Sequence, residues 1–253
     1  MHLIYLCYVV VIALPVFLVA TILTALVTIL GGLIGDPKFW GYHPGRIWSK
    51  VVCTILLLPV KVSGLENVDK NKSYVFVANH QGAFDIFLIY GYLNRNFKWM
   101  MKRSLRNIPF VGKACESAGH IFVDRSGPRK IVQTIQEAKK KLVNGVSLVV
   151  FPEGARTFTG HMGYFKRGAF QLANDLELDV VPITINGSFK VLPRTAHVIR
   201  QHPLELIIHP PIPHKGAGPQ YVRETLNQAY DVIQTGLPEE LQGMKENPDQ
   251  EVD

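Results

Sequence analysis

From Leu3 to Gly35 the chain carries no Asp, Glu, Lys or Arg, an uncharged run of 33 residues. Roughly 20 apolar residues suffice to cross a bilayer as a helix, and so long a run rarely fits inside one small domain. It lacks the basic n-region of a signal peptide, and no small-residue cleavage site follows a short apolar core. A retained membrane segment is expected. An unbroken helix of this length would reach about 50 Å against a hydrocarbon core of roughly 30 Å. Tilt, a kink at Pro15 or an early end at Gly31-Gly32 must absorb the difference. A second apolar stretch, Val51 to Val60, comes after Arg46 and Lys50 and precedes Lys61. It is too short to span, so it is expected to lie in the interface or dip into one leaflet. Trp40, Tyr42 and Trp48 carry amphipathic rings suited to headgroup level. A single span and a helical hairpin embedded from one side both fit. Basic residues just past the first segment place the rest of the chain at the cytoplasmic face.

The remainder of the 253 residues is long enough for one α/β domain and too short for two. The net charge of +7 is uneven: Arg95 to Lys141 holds 12 Lys or Arg against Glu116, Asp124 and Glu137. Glu239 to Asp253 carries six acids and one Lys. Such a basic middle suits anionic headgroups, an anionic substrate or an acidic carrier. Nucleic acid is excluded as a partner because no nucleic-acid motif accompanies the charge. Cys7, Cys53 and Cys115 stand at spacings that suit neither a metal nor a disulfide framework, and they fit a reducing compartment.

From Ser73 onward, apolar runs alternate with helical patterns. Strands are expected at residues 73–78, 121–123, 147–151, 180–185 and 204–209. Helices are expected at 84–93, at 168–176, at 221–234, and from Pro128 to a stop at Gly145. The alternation predicts an α/β fold, a largely parallel sheet flanked by helices behind an N-terminal membrane-embedded helical motif. The expected divisions are 1–60 for that motif, 61–236 for the α/β domain and 237–253 for an acidic tail. In such sheets ligands gather at the carboxyl ends of the strands.

Three polar clusters fall at those ends. The first is "NHQGAFD", with His80 and Asp85 five positions apart. In an ideal helix that separation puts them on different faces, about 500° and 7.5 Å apart. They meet only if a turn through Gly82 folds the carboxylate back. They are then either a base and its orienting partner or a surface His beside a helix-capping Asp. The second cluster, "FPEGAR", places Glu153, Gly154 and Arg156 just past the strand "SLVVF". Gly permits close backbone approach and Arg offers a fork suited to phosphate, although a salt-bridged loop has the same composition. The third, "IFVDR", delivers Arg125. Gly163 and Gly168 have P-loop spacing, but Ala169-Phe170 stands where Lys-Ser/Thr is required, which excludes nucleotide binding. There is no G-x-S-x-G elbow, no H-E-x-x-H and no zinc spacing. The expected chemistry is general-base acyl transfer to a substrate hydroxyl, with neither metal nor cofactor.

"NHQGAFD", "IFVDR", "FPEGAR" and "VVPITI", in this order, resemble the four motif blocks of the glycerolipid acyltransferase family. Within it, the chain is most similar to the bacterial 1-acyl-glycerol-3-phosphate acyltransferases. The resemblance covers roughly residues 60 to 215, and the apolar N-terminus is similar to that family's two-helix membrane motif. It implies acylation of the sn-2 hydroxyl of lysophosphatidic acid to phosphatidic acid, with acyl-CoA or acyl carrier protein as co-substrate. It also implies a membrane location, the bacterial inner membrane, with membrane lipids as partners. By motif, His80 is the base and Asp85 its orienter, and Arg125, Glu153, Gly154 and Arg156 lie on the acceptor side. Pro182 lies on the acyl-donor side, and Lys102, before the "IP-x-x-G" turn, on the phosphate side. Gly82 and Ala155 replace the family's frequent Ser and Thr, which leaves acceptor choice more open than activity. Two alternatives stand beside this reading: acylation of glycerol 3-phosphate or another lysophospholipid, and a non-catalytic lipid-binding membrane protein.

Overall fold

The computed structural model describes residues 2–123 and 128–243. Helices α1 (His2–Tyr8) and α2 (Leu14–Ile34) are joined through one π-helical turn, Val9–Ala13, into a continuous rod. Proline lacks an N–H and its ring crowds the carbonyl four residues back. A π turn just ahead of Pro15 changes the hydrogen-bond pattern there, and the helix continues through the proline. The rod is the one helix among the described residues long and apolar enough to cross a membrane. It runs past Gly31-Gly32 to Ile34, because Trp40 of α3 (Pro37–Trp40) packs flat against Gly31 and Gly35. Asp36 caps α3 by accepting the Lys38 N–H at 2.8 Å.

Helix α4 (His43–Ile55) returns alongside α2. Trp48 Nε1 donates to Thr21 Oγ1 at 3.0 Å, and Tyr8 donates to the Ile55 carbonyl at 2.8 Å. The stretch expected to be an interfacial piece therefore divides between the end of α4 and the start of β1 (Val60–Ser63). Next come β2 (Val75–Ala78), α5 (Asp85–Tyr92), β3 (Phe97–Lys102), α6 (Val111–Ser117), β4 (Ile121–Val123), α7 (Pro128–Lys141) and β5 (Ser147–Val150). The described chain continues through α8 (Gly168–Asp175), β6 (Val180–Asn186), α9 (Ser188–Val191), β7 (Leu204–Ile208) and α10 (Pro219–Thr235).

The seven strands form one sheet in the order β1-β7-β6-β2-β5-β3-β4, parallel except where β7 meets β6. Period-2 alternation sends successive side chains to opposite faces, and β2 shows why both are apolar. Phe76 and Ala78 enter a core with Leu88 and Ile89 of α5 and Val52 and Cys53 of α4. Val75 and Val77 enter the other core with Phe170 of α8 and Tyr230 and Ile233 of α10. The rod's outer side remains uncovered: Leu3, Leu23, Leu30 and Ile34 are exposed. β2 and β5 are adjacent and in register, Val77 opposite Val150, so the chains leaving their carboxyl ends emerge side by side. Those two exits carry the first two polar clusters.

Candidate active site

β2 is terminated by Asn79, which is fully buried and grips the main chain of β6 twice. Its Nδ2 donates to the Ile185 carbonyl at 2.9 Å, and its Oδ1 accepts the Ile185 N–H at 2.8 Å. The chain then turns, and Asp85 begins α5. One oxygen, Oδ2, accepts the N–H of Gln81 at 2.7 Å and of Gly82 at 3.0 Å. The same oxygen lies 2.7 Å from His80 Nδ1. The pair meets through a turn, and the carboxylate itself holds that turn. An ionised carboxylate only accepts, so Nδ1 carries the ring proton and Nε2 keeps its lone pair. Asp85 is completely buried, whereas the His80 side chain is 15% exposed, so the open edge of the pair belongs to the imidazole.

The turn demands glycine at 82. A Cβ there would lie 2.3 Å from Ser188 Oγ and 2.5 Å from the Ser188 carbonyl oxygen, because α9 crosses directly beneath. His80 stacks on Phe151 with ring centroids 3.9 Å apart and planes 8° from parallel. Phe151 in turn stacks on Trp99 of β3 at 5.5 Å. The imidazole is thus fixed at its edge by Asp85 and on one face by an aromatic column.

Glu153 faces inward. Its Oε1 accepts the His80 N–H at 2.6 Å and its Oε2 accepts the Gly163 N–H at 3.0 Å. The Thr157 N–H donates to the His80 carbonyl at 3.0 Å. The residues after β5 therefore clamp the main chain of His80 from both sides. Burial pushes the Glu153 carboxyl up to about 8; the two N–H donors oppose that shift and the Asp85 charge adds to it. Gly154 adopts φ +78°, a left-handed conformation suited to glycine, and the Lys166 side chain passes over it. Arg156 is half-buried, with no carboxylate within 4.0 Å among the described residues. Beside it, Arg194 lies over the Phe158 ring at 4.2 Å.

The structure brings His80, Asp85, Glu153, Gly154 and Arg156 together. Lys102 is exposed at the carboxyl end of β3, two strands from His80 in the sheet order. Arg125 lies outside the described residues. Pro182 is not in the cluster: it is buried within β6, opposite Val77, where strand packing surrounds it. Asn79, Gln81, Phe151 and Arg194 are absent from the expected set of site residues. Gln81 is buried and donates to the Gly160 carbonyl at 3.1 Å, tying the two exits together. Asn79 and Gln81 flank His80 in the motif itself, and two buried amides beside a candidate base were the available signal. Phe151 and Arg194 carry no such signal, because their roles arise only from neighbours distant in sequence.

A mostly parallel α/β sheet thus carries, at the ends of two adjacent strands, an imidazole held by a buried carboxylate and an arginine with no carboxylate within 4.0 Å among the described residues. The chain belongs to the acyltransferase family, whose model matches residues 59–186. It is 34% identical over 185 residues to the chloroplastic 1-acyl-sn-glycerol-3-phosphate acyltransferase of Arabidopsis thaliana, a match covering 71% of this chain and 51% of the relative. It is likewise 34% identical over 164 residues to the 1-acyl-sn-glycerol-3-phosphate acyltransferase of Saccharomyces cerevisiae, covering 64% of this chain and 54% of the relative. The chain spans about half the length of these curated relatives. Among solved structures it is similar to the 1-acyl-sn-glycerophosphate acyltransferase PlsC from Thermotoga maritima. That likeness has a TM-score of 0.75 at 25% identity and covers 93% of this chain and 94% of that one.

Proposed function

We propose that this chain transfers an acyl group from acyl-CoA or acyl carrier protein to the sn-2 hydroxyl of 1-acyl-sn-glycerol 3-phosphate, making phosphatidic acid. One observation carries the reading: a buried Asp85 oxygen 2.7 Å from His80 Nδ1, which leaves Nε2 as the free basic edge. The names of the relatives support the acceptor.

In this scheme Nε2 removes the hydroxyl proton as the oxygen attacks the thioester carbonyl. The imidazolium so formed is stabilised by Asp85. The tetrahedral intermediate collapses, the C–S bond breaks, and the thiolate leaves with the proton that Nε2 held. An ester and a free thiol result, and no acyl-enzyme forms. Arg156 binds the acceptor phosphate, with Lys102 and Arg125 contributing to acceptor recognition. Glu153 positions His80 through its main chain, and Gly154 lets the loop turn closely enough to do so. Pro182 shapes β6 beneath the site. The uncovered side of α1–α2 lies in a membrane, with the α/β domain at the cytoplasmic face, where a lipid acceptor reaches the site by lateral diffusion.

An acceptor panel tests this reading. Purified protein with labelled acyl-CoA is offered 1-acyl-glycerol 3-phosphate, glycerol 3-phosphate and lysophosphatidylcholine. Phosphatidic acid from the first, at a kcat/KM well above the other two, is expected. Faster acylation of either other acceptor, or of none, contradicts it.

A further inference from the structure

At the edge of the sheet opposite His80, the loops that enter three adjacent parallel strands meet α3. Residues 69–73 lead into β2, 94–96 into β3 and 144–146 into β5. They bound a cleft of about 260 Å³ walled by Lys38, Lys70, Arg95 and the amides of Asn94, Asn96 and Asn144. Lys38 Nζ donates to the Asn144 carbonyl at 2.8 Å, and the Arg95 guanidinium donates to the carbonyls of Asn94 at 2.9 Å and Val68 at 2.6 Å. Neutral carbonyls, rather than carboxylates, thus hold these cations in place. None of the three has a carboxylate within 4.0 Å among the described residues. The nearby acids accept main-chain N–H groups: Asp36 that of Lys38 and Asp69 that of Asn71. On β3, two residues past Asn96, Lys98 is buried and its ammonium donates to the Ala118 carbonyl at 2.7 Å. Its pKa is pushed down to about 8 by burial first and then by Lys141, with Asp36 opposing and Lys38 adding a further lowering.

The surroundings say what kind of anion belongs here. Leu33 and Ile34 at the end of α2 are 76% and 88% exposed, and Phe39, next to Lys38, is 47% exposed. Cations set beside protruding apolar side chains match the boundary between phosphate headgroups and acyl chains. A soluble phosphate would have no use for exposed apolar side chains within five residues of Lys38 in the chain.

We infer that this cleft holds the phosphate-bearing headgroup of an anionic membrane lipid, with Leu33, Ile34 and Phe39 seated among the acyl chains beside it. The inference rests on the reading that α1–α2 lies in a membrane. It adds a second point of attachment, at the far edge of the sheet from the hydroxyl-activating pair.

The test is co-sedimentation of the full chain, diluted from detergent, with phosphatidylcholine vesicles that contain or lack phosphatidylglycerol. The variant is Lys38→Gln/Lys70→Gln; the charge-matched control is Lys190→Gln/Lys215→Gln, two exposed lysines elsewhere on the surface. The wild type and the control should bind the anionic vesicles more tightly than the neutral ones by the same factor. The cleft variant should lose roughly 30-fold on anionic vesicles, at about 1 kcal/mol for each lysine near a charged surface, and nothing on neutral ones. Unchanged neutral binding also reports that the variant is folded. Equal losses in both double variants, or no gain from phosphatidylglycerol in the wild type, would overturn the inference alone. Failure of the wild type to bind neutral vesicles would instead sink the membrane reading on which it rests. If inorganic phosphate erases the wild-type preference for anionic vesicles, the cleft is a small-anion site and the lipid assignment is wrong.

Discussion

At the scale of single residues, one carboxylate oxygen does three jobs. Asp85 Oδ2 closes the turn through two main-chain N–H groups and orients His80 through a third bond. Asparagine at 85 keeps the shape but can present an N–H to Nδ1, which moves the ring proton to Nε2 and removes the free lone pair. Asp85→Asn is therefore expected to lower kcat by roughly 10²- to 10⁴-fold with little change in the acceptor KM. A rate within a factor of two of wild type would deny the orienting role. Glu153 yields a second prediction. Its carboxyl titrates near 8 in the folded state against an ordinary value of 4.5, so the unfolded chain loses that proton first. The stabilising contribution is full below pH 4.5 and is lost as pH rises through about 8. The melting temperature of the wild type should thus fall more steeply across this window than that of Glu153→Gln; parallel profiles would contradict the assignment. The motif residues were legible because "NHQGAFD" and "FPEGAR" sit where strands end. The direction in which Glu153 faces was not, since its partners, the N–H groups of His80 and Gly163, are 73 and 10 residues away.

At the scale of elements, the rod and its return helix depend on glycines with opposite demands. A Cβ on Gly31 would fall 2.4 Å from the Trp40 ring, whereas one on Gly32 would meet its nearest neighbour, the Ser117 carbonyl oxygen, at an ordinary 3.7 Å. Gly31→Ala should destabilise by about 1–3 kcal/mol through overpacking. Gly32→Ala should stabilise by about 0.5–1 kcal/mol, the usual gain for alanine in a helix. Melting in detergent checks both, and shifts of the same sign would refute the packing of α3 on α2. The expected strands occur where they should; β2, β5 and β6 are buried on both faces and so are almost wholly apolar, whereas β7 alternates. Two others were not foreseen. β1 reads "VKVS", short and at the sheet edge, and β3 reads "FKWMMK", where charged residues interrupt the apolar pattern. The strand character of both comes from the neighbours they pair with rather than from local composition.

For the whole molecule, the apolar excess concentrates on one side. Leu23 and Leu30 are 56% and 58% exposed on the rod, away from both cores. Leu23→Glu/Leu30→Glu should move the protein from the membrane fraction to the supernatant, because carboxylates on that face disfavour the hydrocarbon. Transfer to a short-chain, water-soluble acceptor should persist. Retention on membranes would mean that another surface makes the attachment. The need for a buried or membrane-covered rod was plain in 33 uncharged residues. The strand order was not, because parallel pairing joins segments far apart in the chain: β2 lies between β5 and β6, and among the described residues β1 pairs only with β7. That order is what sets the exits of β2 and β5 side by side and makes a site of two separate motifs. Whether His80 is the base that activates a lipid hydroxyl is read from the phosphatidic acid formed from labelled acyl-CoA and 1-acyl-glycerol 3-phosphate by wild type and His80→Ala, both shown to be folded. A fall of at least about 10²-fold in kcat is predicted; equal product from the two proteins would contradict it.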